Sequence, residues 1–157
     1  MSGSLQSFPP PTALPGTHVK GPEARAQLVK RAMDDPETFW AERAHELLSW
    51  AEPWHTVADC DLKEGKIGWF LGGKLNACYN CVDRHVEAGR GNKTAIIWEP
   101  DDEGEAKHIS YIELLDQVCR FANVLKDLGL EKGDRVCLYM PMIPETVIAM
   151  LAWLKLA

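Results

Sequence analysis

The sequence predicts an α/β fold, because segments typical of strands and of helices alternate in its second half. Residues 94–98 (TAIIW) are rich in β-branched and aromatic residues, as strands are. Residues 111–128 repeat apolar positions at the helical period, and residues 135–139 form a second strand-like run. Pro144 stands where a new helix can begin. This order of strand, helix, strand and helix is typical of α/β proteins.

The helix expected from Tyr111 has clear start and stop signals. Ser110 and Glu113 have the spacing of a capping box, in which each side chain binds a free backbone amide at the helix start. Gly129 supplies the left-handed residue that commonly ends a helix. The apolar stripe expected to face the core comprises Leu114, Val118, Phe121, Leu125 and Leu128.

The first half predicts a flexible arm followed by a helical and hairpin segment. Residues 1–20 combine Pro, Ser, Gly and Thr with few large apolar groups, which predicts the arm. Residues 21–85 begin with a helix from Pro22, and Asp35 then caps a second helix that starts at Pro36. The expected buried positions are Leu28, Val29, Ala32 and Met33 in the first helix and Phe39, Trp40, Ala44, Leu47 and Leu48 in the second.

A glycine pair at residues 72–73 predicts a tight hairpin turn between residues 67–71 and residues 74–75. Asn76 is expected to cap the next helix, which Gly89 ends. The expected inward face comprises Ala77, Cys78, Cys81, Val82, His85 and Val86. The expected outward face comprises Asn80, Asp83, Arg84 and Glu87.

Residues 86–157 are expected to form the incomplete start of a larger α/β domain. The last helix is apolar on nearly every face from residue 147 to residue 156, which predicts burial on more than one side. Beside a strand at residues 135–139 without later strands, such a helix predicts aggregation or dependence on a partner. We therefore expect that deleting residues 144–157 increases solubility.

Composition and charge exclude several functional classes. Apolar residues make up 46% and charged residues 25% of the chain, which is ordinary globular usage and argues against overall disorder. The net charge is −6 and the basic residues form no stripe, which argues against a nucleic-acid partner. No signal sequence and no apolar run of about 20 residues is visible, so a cytoplasmic location is expected. Five scattered cysteines fit reduced thiols.

Cys78 and Cys81, with His85 four residues on, invite three interpretations. A zinc site needs four ligands, and no second ligand pair has suitable spacing. A redox dithiol needs an exposed thiolate of low pKa, whereas both thiols are predicted on the apolar face of their helix. Core packing is the favoured interpretation, so we expect both thiols to react slowly and zinc not to stabilise the chain.

The remaining polar motifs are predicted to be loops or solvent-exposed groups and not catalytic sites. Residues 89–94 (GRGNKT) resemble a phosphate loop, but Asn92 separates Gly91 from Lys93 and the segment precedes a strand, so a plain loop is predicted. His55 and His108 have no serine or cysteine at a diagnostic spacing. The acidic residues expected to form a solvated turn are Asp101, Asp102, Glu103 and Glu105.

Seven segments in order carry a resemblance to a known family. They are residues 35–40 (DPETFW), 69–76 (WFLGGKLN), 80–85 (NCVDRH), 94–99 (TAIIWE), 108–114 (HISYIEL), 118–123 (VCRFAN) and 139–145 (YMPMIPE). Together they resemble the amino-terminal part of the AMP-forming acetyl-CoA synthetases, or acetate-CoA ligases, of the adenylate-forming superfamily. The resemblance covers about residues 25–152 and implies the first portion of the adenylate-forming AMP-binding domain.

The resemblance implies ATP-dependent activation of acetate to acetyl-CoA through an acetyl-adenylate, with release of AMP and pyrophosphate. It implies ATP, CoA and Mg²⁺ as the cofactors of the full-length enzyme and acetate as its small-molecule substrate. The metal and cationic side chains would stabilise the charge on the phosphates.

The chain departs from the family pattern after Ala152, where members continue Cys-Ala-Arg-Ile-Gly-Ala and this chain reads WLKLA at residues 153–157. The phosphate loop, acetate pocket and catalytic lysine of the family have no counterpart here. We therefore assign no catalytic, cofactor-binding or metal-binding residue to this chain and expect an amino-terminal fragment that is inactive alone and binds no cofactor tightly. The alternative is a noncatalytic module that associates with a full-length synthetase.

Overall fold

The fold is taken from a computed structural model, which describes residues 16–101, 104 and 106–156 of the chain. Its contacts divide the chain into a first unit, Met1–Glu42, and a second unit, Arg43–Ala157. Most of the arm expected at residues 1–20 lies outside the described residues, as do Asp102, Glu103 and Glu105 of the predicted acidic turn.

The first unit contains α1 (Gly21–Asp34) and the start of α2 (Pro36–Leu47). The predicted cap is confirmed, because the Thr38 amide donates to Asp35 Oδ1 at 3.1 Å and Pro36 is the first helical residue. The predicted stripe of α1 is only half right. Leu28 and Ala32 are half-buried, whereas Val29 and Met33 are exposed.

The stripe of α2 is likewise confirmed in part. Phe39 and Ala44 are buried, whereas Trp40, Leu47 and Leu48 are exposed. The helix thus buries two positions five residues apart instead of a broad apolar face.

The second unit opens with a two-stranded antiparallel sheet of β1 (Thr56–Ala58) and β2 (Trp69–Leu71). The prediction that β2 pairs with residues 74–75 is wrong. β2 pairs with β1, which precedes it in the chain, and Lys74 forms an isolated bridge with Glu52. The chain does turn at Gly73, whose amide donates to Phe70 O at 3.0 Å.

Packing explains why the turn carries two glycines. A Cβ on Gly72, which has φ +80°, would lie 2.5 Å from the His55 ring. A Cβ on Gly73 would lie 2.7 Å from the Trp50 ring. Neither position has room for a side chain, so this turn keeps two aromatic rings against the backbone.

A helical stretch at residues 77–90 follows and contains two π-helical turns, Tyr79–Asp83 and Val86–Arg90. The Asn76 cap is confirmed, since Asn76 Oδ1 accepts from the Tyr79 amide at 3.0 Å. Gly89 breaks the helical geometry with φ +74°. We call residues 77–90 the π-helical stretch.

The predicted faces of the π-helical stretch are wrong at Asn80 and Cys81, and Asp83 and Arg84, predicted to face outward, are partly buried. Cys81 is exposed and Asn80 is buried, opposite to the expectation from a regular 3.6-residue period. Each π turn inserts an extra residue, which rotates the following side chains relative to an α-helix. Cys78 and Val82 are fully buried as predicted.

The second sheet pairs β3 (Thr94–Trp98) with β4 (Lys107–Ser110) in antiparallel register and leads into α3 (Tyr111–Asp127). The predicted capping box is confirmed, with Glu113 Oε2 accepting from the Ser110 amide at 2.8 Å. Gly129 has the expected left-handed φ of +86°. The stripe of α3 is partly wrong, because Leu128 and Phe121 are exposed while Ala122 is buried.

The strand predicted at residues 135–139 is wrong. These residues belong to no strand, and only Val136 among them is partly covered. A strand requires a neighbour for its backbone hydrogen bonds, and no strand of the described residues lies beside this segment. The two sheets that do form are antiparallel pairs, so the described residues contain helices and small sheets of an α/β fold without the expected parallel strands.

The core lies where α3, the π-helical stretch and α4 (Pro144–Leu156) meet. Its buried members are Cys78, Val82, Leu114, Val118, Ala122, Ile148, Leu151 and Ala152. The prediction that Pro144 begins a helix is confirmed. Met150 and Val147 remain exposed, so α4 buries one side and the predicted burial on more than one side is wrong in this structure.

This packing reverses the expected effect of deleting residues 144–157. The deletion would remove Ile148, Leu151 and Ala152 from the core and expose Val118 to water. We now expect it to unfold the second unit and lower solubility.

The capping box gives a direct test of this fold. Replacing Ser110 by Ala should lower the free energy of unfolding by about 0.5–2 kcal/mol, because the amide of Glu113 loses its acceptor at the start of α3. Chemical denaturation monitored by circular dichroism measures the loss. Ser110→Thr keeps the acceptor and should cost less, so equal losses for the two variants would contradict the cap.

Candidate functional site

Asn80 is the only buried polar side chain among the described residues, and all of its amide atoms are bonded. Its Oδ1 accepts from the Ser49 amide at 2.8 Å, and its Nδ2 donates to Ser49 O at 2.9 Å and to Asn76 O at 3.1 Å. The paired bonds to Ser49 fix the chain that follows α2 against the π-helical stretch. They leave no amide atom free for a ligand.

Arg84 ties the same two segments together. Its Nε donates to Asn80 O at 2.7 Å, and its Nη1 donates to Leu47 O at 2.8 Å at the end of α2. Leu47 O lies at a helix end, where carbonyls lack an intrahelical partner, and a guanidinium satisfies such a group with a charge-assisted bond. The Arg84 guanidinium therefore serves as a hydrogen-bond donor to backbone carbonyls of both segments.

A second polar cluster joins the π-helical stretch to the last turn of α4. Lys155 Nζ donates to Asp83 Oδ1 at 2.5 Å, and both side chains are largely covered. Asn76 Nδ2 donates to Leu154 O at 2.9 Å, which satisfies a carbonyl at the helix end. Burial alone would lower the pKa of Lys155, but the hydrogen bond and charge of Asp83 outweigh it and raise that pKa.

Cys78 lies beside this cluster and is fully buried. Its thiol lies 3.7 Å from Asp83 Oδ2. Burial raises the pKa of Cys78 to about 11, with the negative charge of Asp83 adding to the effect against the opposing Lys155. Such a thiol stays protonated at neutral pH and is a poor nucleophile. Packing in the core, the favoured interpretation of this cysteine, agrees with its position.

Cys81 and His85 do not join Cys78 in one site. Cys81 is exposed, so its predicted place on the apolar face is wrong. His85 stacks on Tyr111 with ring centroids 4.9 Å apart, and its Nδ1 accepts from Arg90 Nη2 at 2.7 Å. Burial, followed by the charge of Arg90, lowers the pKa of His85 and keeps its ring neutral.

The glycine-rich loop at residues 89–94 supplies hydrogen-bond acceptors to the first amides of α3. Gly91 O accepts from the Ile112 amide at 3.0 Å, and Lys93 O accepts from the Tyr111 amide at 3.0 Å. Free amides at a helix start are the groups that bind phosphate. Here carbonyl oxygens of the loop accept from these amides. The plain loop predicted from the sequence therefore agrees with the structure, and residues 89–94 resemble a phosphate loop in sequence only.

The remaining candidates stand apart on the surface. His55 is exposed with its Nδ1 3.0 Å from Thr56 Oγ1, and His108 is exposed on β4. Within residues 16–101, 104 and 106–156, no group of three or more His, Cys, Asp or Glu side chains could hold a metal ion. No helix in this part of the chain is long and apolar enough to cross a membrane.

Two family models match consecutive parts of the chain. The model described as the acetyl-coenzyme A synthetase N-terminus matches residues 25–81, and the model described as AMP-binding enzyme matches residues 82–157. The chain belongs to the acetyl-coenzyme A synthetase family. The resemblance carried by the seven sequence segments is thereby confirmed.

Curated relatives agree with this assignment. Acetyl-coenzyme A synthetase of Alcanivorax borkumensis is 58% identical over 122 residues, which are 78% of this chain and 19% of that protein. Acetyl-coenzyme A synthetase 2 of Pseudomonas aeruginosa is 53% identical over 126 residues, covering 80% of this chain and 19% of the relative. The corresponding protein of Pseudomonas putida is 49% identical over 148 residues, covering 94% and 23%. The chain thus spans about a fifth of the length of these relatives.

The junction of the two family models passes through the polar clusters. Asn76 and Asn80 lie in the first match, and Asp83, Arg84 and Lys155 lie in the second. The synthetase-specific segment and the AMP-binding segment are therefore joined by side-chain hydrogen bonds as well as by the chain itself. The sequence missed this role, because it placed Asn80 and Asp83 on the outward face.

We predict that breaking the Asp83 and Lys155 pair destabilises the second unit. Lys155→Met leaves a largely covered carboxylate without its cation and should lower the free energy of unfolding by about 1–3 kcal/mol. Lys132→Met removes an exposed lysine and should change it little. A double-mutant cycle with Asp83→Asn measures the coupling, and a coupling near zero would contradict the contact.

We also predict different reactivities for neighbouring thiols. Cys81 should react with a maleimide at the rate of an exposed thiol, whereas Cys78 should react only when the fold opens. Peptide mass spectrometry of timed samples separates the two. Labelling in denaturant supplies the control, since both thiols should then react alike. Equal rates in the native state would show that Cys78 is not buried.

Proposed function

We propose that the chain supplies the amino-terminal scaffold of an enzyme that activates acetate with ATP to form acetyl-CoA, AMP and pyrophosphate. The two family matches along residues 25–157 carry this proposal, because they follow one another without a gap. The relatives named acetyl-coenzyme A synthetase support the substrate class. In the cytoplasm, where we place the protein, acetate, ATP and CoA are the expected small-molecule partners.

The scaffold role follows from the way the chain uses its polar side chains. Asn80 and Arg84 satisfy backbone groups of neighbouring segments, and Asp83 pairs with Lys155. A catalytic or ligand-binding group needs an unsatisfied atom that faces a reactant. These side chains instead hold the end of α2, the π-helical stretch and α4 together.

Neither a magnesium site nor a phosphate site at the start of α3 is supported by the described residues. A magnesium site needs several oxygen ligands, and no cluster of carboxylates occurs in the described part of the chain. The amides at the start of α3 are bonded to Gly91 O and Lys93 O, which excludes a phosphate there. We therefore propose that the cofactors bind to parts of a synthetase other than these residues.

For the same reason we propose that this chain alone does not form acetyl-adenylate. Adenylation requires a cradle for the phosphates and cationic groups that stabilise the transition state. A noncatalytic module that associates with a full-length synthetase is the alternative function, and the exposed apolar residues Tyr139 and Met142 favour it.

A chimera tests the proposed function. Residues 25–157 of this chain would replace the equivalent segment of the Alcanivorax borkumensis synthetase, and acetate-dependent exchange of labelled pyrophosphate into ATP would be measured. We expect the chimera to retain exchange activity and the isolated chain to show none. Exchange by the isolated chain above an empty preparation would contradict its role as a scaffold.

Matched substitutions separate folding from catalysis in the chimera. Asp83→Asn should lower the melting temperature and leave the exchange rate per folded molecule unchanged, because Asp83 pairs with Lys155. The control Asp116→Asn removes an exposed carboxylate on α3 and should change neither quantity appreciably. A loss of turnover at full folding in Asp83→Asn would place this residue in the catalytic machinery.

A further inference from the structure

We propose that His85, Arg90 and Lys93 form a binding site for a phosphate group, which we call the anion site. The proposal goes beyond acetate activation and rests on side chains at the end of the π-helical stretch and in the loop that follows it. It does not use the backbone amides at the start of α3, which are already bonded to loop carbonyls. The three side chains act as hydrogen-bond donors, and no described carboxylate pairs with either cation.

Backbone geometry brings Arg90 back to His85. The two residues are five apart, the separation that a π-helical turn joins. Gly89 has φ +74°, so the chain changes direction immediately before Arg90. Nε and Nη2 of Arg90 lie 3.2 and 2.7 Å from Nδ1 of His85 and donate to it. The guanidinium is exposed and its Nη1 has no partner among the described residues, so part of its donor fork is available to a ligand.

His85 contributes a donor of its own. Because its Nδ1 accepts from Arg90, the proton of the neutral ring lies on Nε2. No described residue accepts a hydrogen bond from that Nε2. The ring is half-buried and stacks on Tyr111 with centroids 4.9 Å apart, which holds it in place. An N–H group that is held in place without an acceptor is a preformed donor for a ligand.

Lys93 adds a second permanent charge beside the same rings. Its backbone oxygen accepts from the Tyr111 amide at 3.0 Å, so the lysine follows the chain next to the ring on which His85 stacks. Its side chain is exposed and pairs with no described carboxylate. The anion site therefore combines a guanidinium, an ammonium and an imidazole N–H.

The carboxylates of the π-helical stretch do not neutralise these charges, because both are engaged elsewhere. Asp83 pairs with Lys155. Glu87 accepts from the Tyr79 hydroxyl at 2.7 Å. The cations of the anion site thus remain uncompensated among the described residues, although the whole chain carries a net charge of −6. Uncompensated positive charge attracts anions.

The pKa of His85 agrees with a positive potential at this place. Burial lowers this pKa first, and the charges of Arg90, Arg84 and Lys93 lower it further. Tyr111 is the titratable group that faces the ring from α3. A bound dianion would oppose the three cations and favour the imidazolium, so it should raise the pKa of His85.

The donors match a phosphate better than a carboxylate. A phosphate group offers three acceptor oxygens and nearly two negative charges, whereas a carboxylate has two oxygens and one charge. Arginine binds phosphate through its planar fork, and lysine binds it as a point charge. Because Arg90 and Lys93 are exposed, the rest of a phosphate-bearing molecule can stay in solvent. The ligand is therefore a phosphate dianion, either free or carried by a small soluble molecule.

Nuclear magnetic resonance titration of the chain with inorganic phosphate at constant ionic strength tests the site. We expect saturable shifts of the His85 ring and of the Arg90 side chain. Arg90→Gln and Lys93→Gln should each weaken binding roughly 2- to 10-fold, because each removes one exposed charge. Arg90→Lys keeps the charge without the fork and should weaken it less. The control Lys132→Gln removes an exposed lysine after α3 and should leave binding unchanged.

Ribose 5-phosphate distinguishes the two sources of the phosphate group. Tighter binding of this ester than of inorganic phosphate would identify a phosphate-bearing molecule as the ligand, and weaker binding would identify free phosphate. All three substituted positions other than His85 are exposed, so the melting temperatures of the variants should match that of the unchanged chain. Thermal melts therefore verify that a loss of binding is not a loss of fold.

Sulfate tests the part that His85 plays, since it stays doubly charged throughout the range in which histidine titrates. Its binding should strengthen as the pH falls through the pKa of His85, because the imidazolium adds a charge to the site. His85→Phe keeps a ring that can stack on Tyr111 and should abolish this pH dependence. A dependence that persists in His85→Phe would contradict the place of His85 in the site.

Two further results would overturn the proposal. The first is a response to phosphate no larger than the response to acetate at equal ionic strength. The second is an unchanged affinity for phosphate in folded Arg90→Gln and Lys93→Gln. A chain that binds phosphate and forms no acetyl-adenylate would contradict neither this proposal nor the scaffold role, so the two are tested separately.

Discussion

The meeting of α3, α4 and the π-helical stretch at Val118 is the constraint on which the second unit depends. Val118, Cys78, Val82 and Ala152 are all essentially inaccessible to water and come from three different helical segments. Small and β-branched side chains at the contact allow the helices to approach closely. The sheet of β3 and β4 packs against this core through Ala95, Ile96 and Ile109, and both polar clusters include residues of the π-helical stretch.

The polar clusters follow from that packing. A π-helical turn changes the regular hydrogen-bond pattern of a helix, and a helix end leaves carbonyls without an intrahelical partner. Arg84 of the NCVDRH segment donates to a carbonyl in the first and Asn76, four residues before that segment, donates to a carbonyl at the second, so both stabilise irregular backbone at the junction of the two family models. A sequence motif of polar residues that looks catalytic can therefore have a structural role, and its hydrogen-bond partners decide between the two.

Local signals made much of the fold predictable. The capping box at Ser110, the caps at Asp35 and Asn76, and the glycine stop at Gly129 each depend on a few neighbouring residues, and all are confirmed. The family resemblance was predictable because seven short segments occur in order.

Features that depend on distant partners were missed. The sequence predicted a hairpin at residues 72–73, but β2 pairs with β1, which precedes it in the chain, with Ala58 opposite Trp69 and Thr56 opposite Leu71. Residues 135–139 have the composition of a strand, yet pairing needs a neighbour that local composition does not reveal. The exposed Cys81 and buried Asn80 result from π turns, which a fixed 3.6-residue period cannot anticipate.

Native-state hydrogen exchange tests most directly the claim that the three helical segments form one cooperative core. If they do, the amides of Val82, Val118 and Ala152 should exchange with the same free energy as global unfolding and with the same dependence on denaturant. Amides of α4 that exchange at a lower free energy, without denaturant dependence, would show that α4 opens independently. That result would contradict the account, because the core at Val118 would not require α4.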